Sequence, residues 1–173
     1  FTKRLFHPEA KYIHISTAFV HGSKFGTPEE PLAERLFSLG QYNAVEVYRS
    51  MQGTQFYAES AMTDLGFPNT YTFSKCICEH LLLSNDEGKS IIIRPSIVGP
   101  AFRNPYEGWA GERPSTIVAA VCLQMKSQWN IWDMGNADVP YIPVDITAQF
   151  IAVKAFDDHS SQGEQVDVDS LPS

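Results

Sequence analysis

Tyr71 and Lys75 stand four residues apart in Gly66-Phe67-Pro68-Asn69-Thr70-Tyr71-Thr72-Phe73-Ser74-Lys75, and the apolar run from Cys76 to Leu83 follows them. On a helix that spacing projects a phenol and an ammonium from one face, one turn apart. A free phenol, with a pKa near ~10, is a poor acid at neutral pH. A positive charge about 5 Å away, at an effective dielectric of ~20, favours the phenolate by roughly 3 kcal/mol. A phenol so placed can exchange a proton with a reacting oxygen near neutral pH. The same spacing also suits an ordinary surface helix, so the pair gains chemical meaning only from what the fold sets beside it.

Two further groups of residues invite a chemical reading. Ser16 and Thr17 are adjacent hydroxyls that close a short β-branched run and precede Gly22, which places them at the end of a strand. In open α/β sheets the carboxyl ends of the strands are where ligands sit. The second group, Cys76-Ile77-Cys78-Glu79-His80, has the residue types of a metal site. On a helix, however, residues two apart point about 200° away from each other, so the two thiols would not share an ion. No metal is expected.

These residues need elements to hold them. Residues 11–16 read as a buried strand, preceded by a helix-like or loop segment over 1–10. Prolines and acids followed by apolar residues predict a helix over 28–39 ending at Gly40, and two more are predicted over 43–51 and 54–65, separated by Gly53. Tyr48 and Tyr57 are expected to pack. Pro68 sets a turn, Asn69 or Thr70 caps the next helix, and Phe73, Ile77 and Leu81 recur at helical spacing. A polar turn at 85–88 leads to a strand over 89–94 that is buried on both faces.

Strand, helix, strand implies a parallel crossover. Its right-handed form brings both strand ends to one side of the sheet, where Ser16, Thr17, the break Pro95-Ser96-Ile97-Val98-Gly99-Pro100 and the start of the Tyr71 helix can face one ligand. Residues 101–114 read as a loop whose aromatics suit an apolar ligand, and 115–126 as a helix. Short strands are expected at 129–132 and 141–144, around a turn at 135–138. Asp145 is the expected N-cap of a helix over 146–156. The remaining residues 157–173 form an acidic tail with a possible strand at 165–168.

Composition narrows the classes. The 173 residues are 43% hydrophobic, enough for a substantial core in one domain, and the formal charge of -7 argues against a nucleic-acid surface. No apolar run approaches the ~20 residues of a membrane span, and the start resembles no signal peptide. Three cysteines and the absence of any Asn-x-Ser/Thr sequon favour a reducing, intracellular setting. No Gly-x-Ser-x-Gly elbow is present, which disfavours serine hydrolase chemistry. The chain lacks a starting methionine and reads as a piece of something longer.

Four segments in order, Ile15-Ser16-Thr17-Ala18-Phe19-Val20, Pro68 to Lys75, Arg94-Pro95-Ser96-Ile97-Val98-Gly99-Pro100 and Ile142-Pro143-Val144-Asp145, resemble the extended short-chain dehydrogenase/reductases. Together with Glu107-Gly108-Trp109 they look most like the fatty acyl-coenzyme A reductases, whose nucleotide-binding domain is of the male-sterility type. The resemblance implies an α/β, Rossmann-like parallel sheet with flanking helices over 1–156, and an NADPH-dependent reductase of long-chain acyl-coenzyme A thioesters. By the same resemblance Tyr71 is the acid, Lys75 its electrostatic partner and a holder of the nicotinamide ribose, and Thr17 the carbonyl anchor with Ser16 as a substitute. Pro95, Ser96, Ile97 and Val98 would pass beside the nicotinamide. No Gly-x-Gly-x-x-Gly loop precedes Lys11, so the resemblance covers only the carboxyl-terminal part of the nucleotide domain, without its glycine-rich βαβ unit. Two alternatives stay open: a sugar-nucleotide epimerase or dehydratase, which uses the same Tyr-Lys pair, and a non-catalytic scaffold that kept the fold.

Overall fold

A computed structural model of the chain describes residues 12–24, 26–27, 30–85, 90–113, 116–126 and 139–156. The elements expected over 1–10, 86–88, 129–138 and 157–173 lie outside the described residues. The described chain divides into two compact units, one running through Arg94 and one beginning at Pro95. Among the described residues no helix is long and apolar enough to cross a membrane.

In the first unit, strand β1 (Tyr12–Ile15) is followed by helices α1 (Ala44–Met51), α2 (Phe56–Asp64) and α3 (Thr70–Asn85) and then by strand β2 (Ser90–Ile93). β1 and β2 pair in parallel, from Tyr12 opposite Ser90 to Ile15 opposite Ile93. The ladder runs one rung further, because the Ser16 amide donates to the Ile93 carbonyl at 2.7 Å. This is the parallel crossover expected from sequence. The strands are half-buried over most of their length and reach full burial only at Ile93.

Helix α1 begins where Asn43 accepts from the Val45 and Glu46 amides at 2.9 and 3.2 Å, satisfying two donors the helix cannot. Ala58 and Ala61 of α2 are buried small residues that join Val47 of α1 in the core. Phe67 sits at its aromatic centre, 5.3 Å from Phe37 and 5.2 Å from Phe73 between ring centroids. Edge and tilted contacts of this kind suit the ring quadrupoles.

The helix expected over 28–39 is not formed across the described residues 30–39, which run as irregular chain. Two of their carbonyls are claimed by groups from other elements. The Arg35 carbonyl accepts from Arg94 at 3.2 Å, and the Phe37 carbonyl from His80 Nε2 at 2.7 Å. Phe37 and Leu39 are buried while Ser38 between them is exposed, a period of two rather than 3.6. Burial of alternate residues and tertiary hydrogen bonds therefore override the local helix signal.

In the second unit, strand β3 (Ile97–Gly99), helix α4 (Thr116–Lys126), strand β4 (Tyr141–Pro143) and helix α5 (Val144–Phe156) follow in order. β3 and β4 pair in parallel with Gly99 opposite Pro143. The segment read as a proline and glycine break is thus partly a strand. A Cβ on Gly99 would stand 2.9 Å from the Tyr141 ring, so its glycine serves close packing.

Asp145 departs from its expected role as N-cap. It lies inside the first turn of α5, and its carboxylate accepts the amides of Phe102, Arg103 and Asn104 at 2.8, 2.9 and 3.0 Å. The Phe102 amide, with those of Asn104 and Arg103, holds the Asp145 carboxyl down at about 2, against the opposing effect of desolvation. The loop beyond is closed on itself: Ala101 donates to the Trp109 carbonyl at 2.8 Å and Gly108 to the Ala101 carbonyl at 2.9 Å.

Candidate functional site

Helix α3 starts at Thr70 because Asn69 accepts from the Thr72 amide at 2.9 Å, while the Thr72 hydroxyl turns back to Asn69. Phe73, Cys76 and Ile77 are buried and set the helix rotation. That rotation leaves Tyr71 56% exposed. Lys75, half-buried, points toward the sheet, and its ammonium donates to the Ile15 carbonyl at 2.7 Å. The same nitrogen lies 6.0 Å from the Tyr71 ring centroid, at the outer range of a cation–π contact. One side chain thus ties the helix carrying the phenol to the carboxyl end of β1.

Ser16 and Thr17 come directly after that carbonyl, and both are buried, at 2% and 4% exposure. The Thr17 hydroxyl oxygen accepts a long 3.4 Å bond from the Phe19 amide. Ser16 Oγ has no hydrogen-bond partner among the described residues. A buried hydroxyl ordinarily finds one, so this donor stands unspent at a strand end.

Two glycines bring the turn after Thr17 against the approach to α3. Gly22 has φ +63°, and a Cβ there would meet the Leu65 carbonyl oxygen at 2.7 Å. Gly66 has φ +73°, and a Cβ there would meet Ser23 Oγ at 2.7 Å. A side chain at either position would adopt a backbone conformation that L-residues disfavour, and at Gly22 it would also collide with a backbone oxygen that cannot turn aside, whereas the Ser23 hydroxyl facing Gly66 can rotate.

The surroundings of Lys75 are polar in an unanticipated way. Glu79, one turn further along α3, is fully buried and takes a bidentate grip from Arg94, at 2.9 Å to Nε and 2.7 Å to Nη2. Burial by itself would lower the Arg94 guanidinium, but the hydrogen bonds and charge of Glu79 outweigh it and raise it further. His14 on β1 is lowered by burial first and by the Lys75 charge second, with Glu79 opposing, so its imidazole is neutral at pH 7. The signal for the ion pair was present in sequence: a glutamate inside an apolar helical run and an arginine closing an isoleucine strand both put charge where burial was expected.

The two helical thiols part company as helix geometry requires. Cys76 is buried, its thiol pushed up to about 12 chiefly by burial, and Cys78 is exposed. Pro95, Ser96, Ile97 and Val98 belong to the second unit, where Pro95 is buried and the other three are half-buried.

Comparison with known proteins bears on what these residues serve. Residues 4–151 match the male sterility protein family, an NAD-binding family. The chain belongs to this family. It is 32% identical over 145 residues to a putative fatty acyl-CoA reductase of Drosophila melanogaster, covering 79% of this chain and 25% of that protein. A second Drosophila fatty acyl-CoA reductase, wat, is 25% identical over 151 residues, covering 84% of this chain and 28% of that protein. A probable fatty acyl-CoA reductase of Arabidopsis thaliana is 27% identical over 170 residues, covering 83% of this chain and 34% of that protein. The chain therefore spans about a quarter to a third of the length of these relatives. No solved structure matches it.

Membership of an NAD-binding male sterility family implies a nicotinamide cofactor. The residues fit one: a half-buried ammonium on the carbonyl at the carboxyl edge of a parallel strand, an exposed phenol one turn away on the same helix, and a buried hydroxyl without a partner on the next residue of the strand.

Proposed function

We propose that the chain is part of an NADPH-dependent reductase that converts a long-chain fatty acyl-CoA thioester to the aldehyde or alcohol. The observation that carries this reading is the Lys75 bond to the carbonyl of Ile15, the residue before Ser16 and Thr17, with the ammonium 6.0 Å from the Tyr71 ring. The fatty acyl-CoA reductases among its relatives supply the substrate class.

When bound, the cofactor supplies hydride. The chain's own residues manage the oxygen of the reacting carbonyl. As hydride adds to the carbonyl carbon, Tyr71 donates its phenolic proton to that oxygen and the Lys75 ammonium stabilises the phenolate. In the thioester step the phenolate takes the proton back as the carbonyl re-forms, the C–S bond breaks and coenzyme A leaves as the thiolate, which takes a proton from solvent. In an aldehyde step the proton stays on the alcohol. Lys75 also holds the cofactor ribose. The hydroxyl of Thr17, or of Ser16, donates to the same oxygen as negative charge develops there, and the unspent Ser16 donor favours its participation. Cofactor contacts of Pro95, Ser96, Ile97 and Val98 rest on the motif alone.

The test is an assay of the whole protein with NADPH and either acyl-CoA or a UDP-sugar, following oxidation of the nicotinamide and the products. Acyl-CoA-dependent oxidation with release of free coenzyme A is expected. Turnover of the UDP-sugar alone would replace this reading with the epimerase or dehydratase one.

A further inference from the structure

Lys75 and Glu79 stand one turn apart on α3, a spacing at which opposite charges ordinarily pair along a helix. Here each is engaged elsewhere. Lys75 donates to the Ile15 carbonyl, and Glu79 accepts two bonds from Arg94. The two attachments fall on neighbouring rungs of one parallel pair, since Ile15 is in register with Ile93 and Arg94 follows Ile93. Helix α3 thus meets the sheet through a cation directed into β1 and an anion directed onto the residue after β2.

Glu79 is 0% exposed, and a buried carboxylate without a cation is strongly unfavourable. Arg94 supplies that cation and is itself anchored by the Arg35 carbonyl at 3.2 Å, with Glu34 4.0 Å from its other terminal nitrogen. Without Arg94, the ammonium one turn away on the same helix is that of Lys75. His14 faces both groups but is neutral, so it offers Glu79 no charge.

The geometry points to Arg94 as a positioning residue: by occupying Glu79 it prevents that carboxylate from capturing Lys75, and so keeps the ammonium on the Ile15 carbonyl beside the Tyr71 ring. The inference rests on the proposed function only for what Lys75 does there, not for where Lys75 is held. It makes the two halves of one ion pair unequal. Arg94→Gln leaves a carboxylate free to draw Lys75 away, whereas Glu79→Gln leaves none.

The experiment measures acetylation of Lys75 by an N-hydroxysuccinimide ester at one mildly alkaline pH, by peptide mass spectrometry, with Lys24 as internal reference and no substrate or cofactor present. Arg94→Gln should slow Lys75 about tenfold, because a charge-assisted bond to a carboxylate holds the amine protonated. Glu79→Gln and the double variant should stay within about twofold of the unaltered protein, the carboxylate that competes for the amine being gone. General loosening of the fold would speed the reaction instead. Equal effects of the two single variants, or faster acetylation in Arg94→Gln, overturns the inference. If Arg94→Gln does not fold, Arg94→Lys, a point charge without the guanidinium fork, should give an intermediate slowing, and none overturns it. If Lys75 slows as expected but the whole protein reduces no acyl-CoA, only the functional reading fails. If the reductase is active and Lys75 reacts in Arg94→Gln as in the unaltered protein, only this inference fails.

Discussion

Among the described residues each unit buries one acidic side chain, and the two solve the same problem differently. In the first unit Glu79 is neutralised by the guanidinium of Arg94. In the second, Asp145 is satisfied by three consecutive backbone amides, those of Phe102, Arg103 and Asn104. A carboxylate held by another charge can be won over by a competing charge, so its partner governs where neighbouring cations go. A carboxylate held by amides fixes a backbone shape, and no other side chain can inherit its bonds. The first arrangement suits a site where an ammonium must be kept in place, and the second suits a loop that must keep its form.

The largest effect expected from this contrast is on turnover in the whole protein. Tyr71→Phe should lower kcat by about 10²- to 10⁴-fold, the usual worth of a proton donor, while leaving cofactor affinity nearly intact. Asp145→Asn should change kcat far less, and steady-state kinetics with acyl-CoA compares the two. Undiminished turnover in Tyr71→Phe would remove the phenol from the mechanism.

Next in size is stability. Arg94→Gln should cost about 3 kcal/mol, the low end for breaking a buried pair because the captured Lys75 ammonium offsets part of the loss, and adding Glu79→Gln should recover much of it. Urea unfolding of the single and double variants measures both, and a double variant no better than the single would show that the pair's geometry, not its charge, matters. Gly22→Ala should cost about 1–3 kcal/mol, because it combines a positive φ with a contact onto the Leu65 carbonyl. The same denaturation experiment reads it.

The smallest effect is the pH response of the amide-held carboxylate, Asp145. Asp145 is held at about 2, below its ordinary 3.8, so its contribution is present in full above about pH 4 and fades as pH falls toward 2. The amide resonances of Phe102, Arg103 and Asn104 should shift together over that range. In Asp145→Asn they should already be displaced at neutral pH and show no such titration.

Much of this was legible before any coordinates. The helix start at Asn69, the inward face at Phe73 and Ile77, the parallel strands and the four-residue spacing of Tyr71 and Lys75 all follow from local rules of capping and periodicity. The helix expected over 28–39 is absent from the described residues 30–39, where the Arg35 and Phe37 carbonyls answer to Arg94 and His80, residues distant in sequence. Asp145 was misread because a residue with cap chemistry can serve amides of another segment as well as its own helix. The Glu79–Arg94 pair went unseen because nothing local says which buried charge meets which.

By itself, then, the order of residues determined which side chains share a face of α3, since the helix repeat is set by backbone geometry alone. Tertiary structure decided what each of those side chains touches: Lys75 the carbonyl of Ile15, Glu79 the guanidinium of Arg94. Those choices depend on segments brought together only when the core closes, and buried charges, which cannot remain unpaired, make them specific.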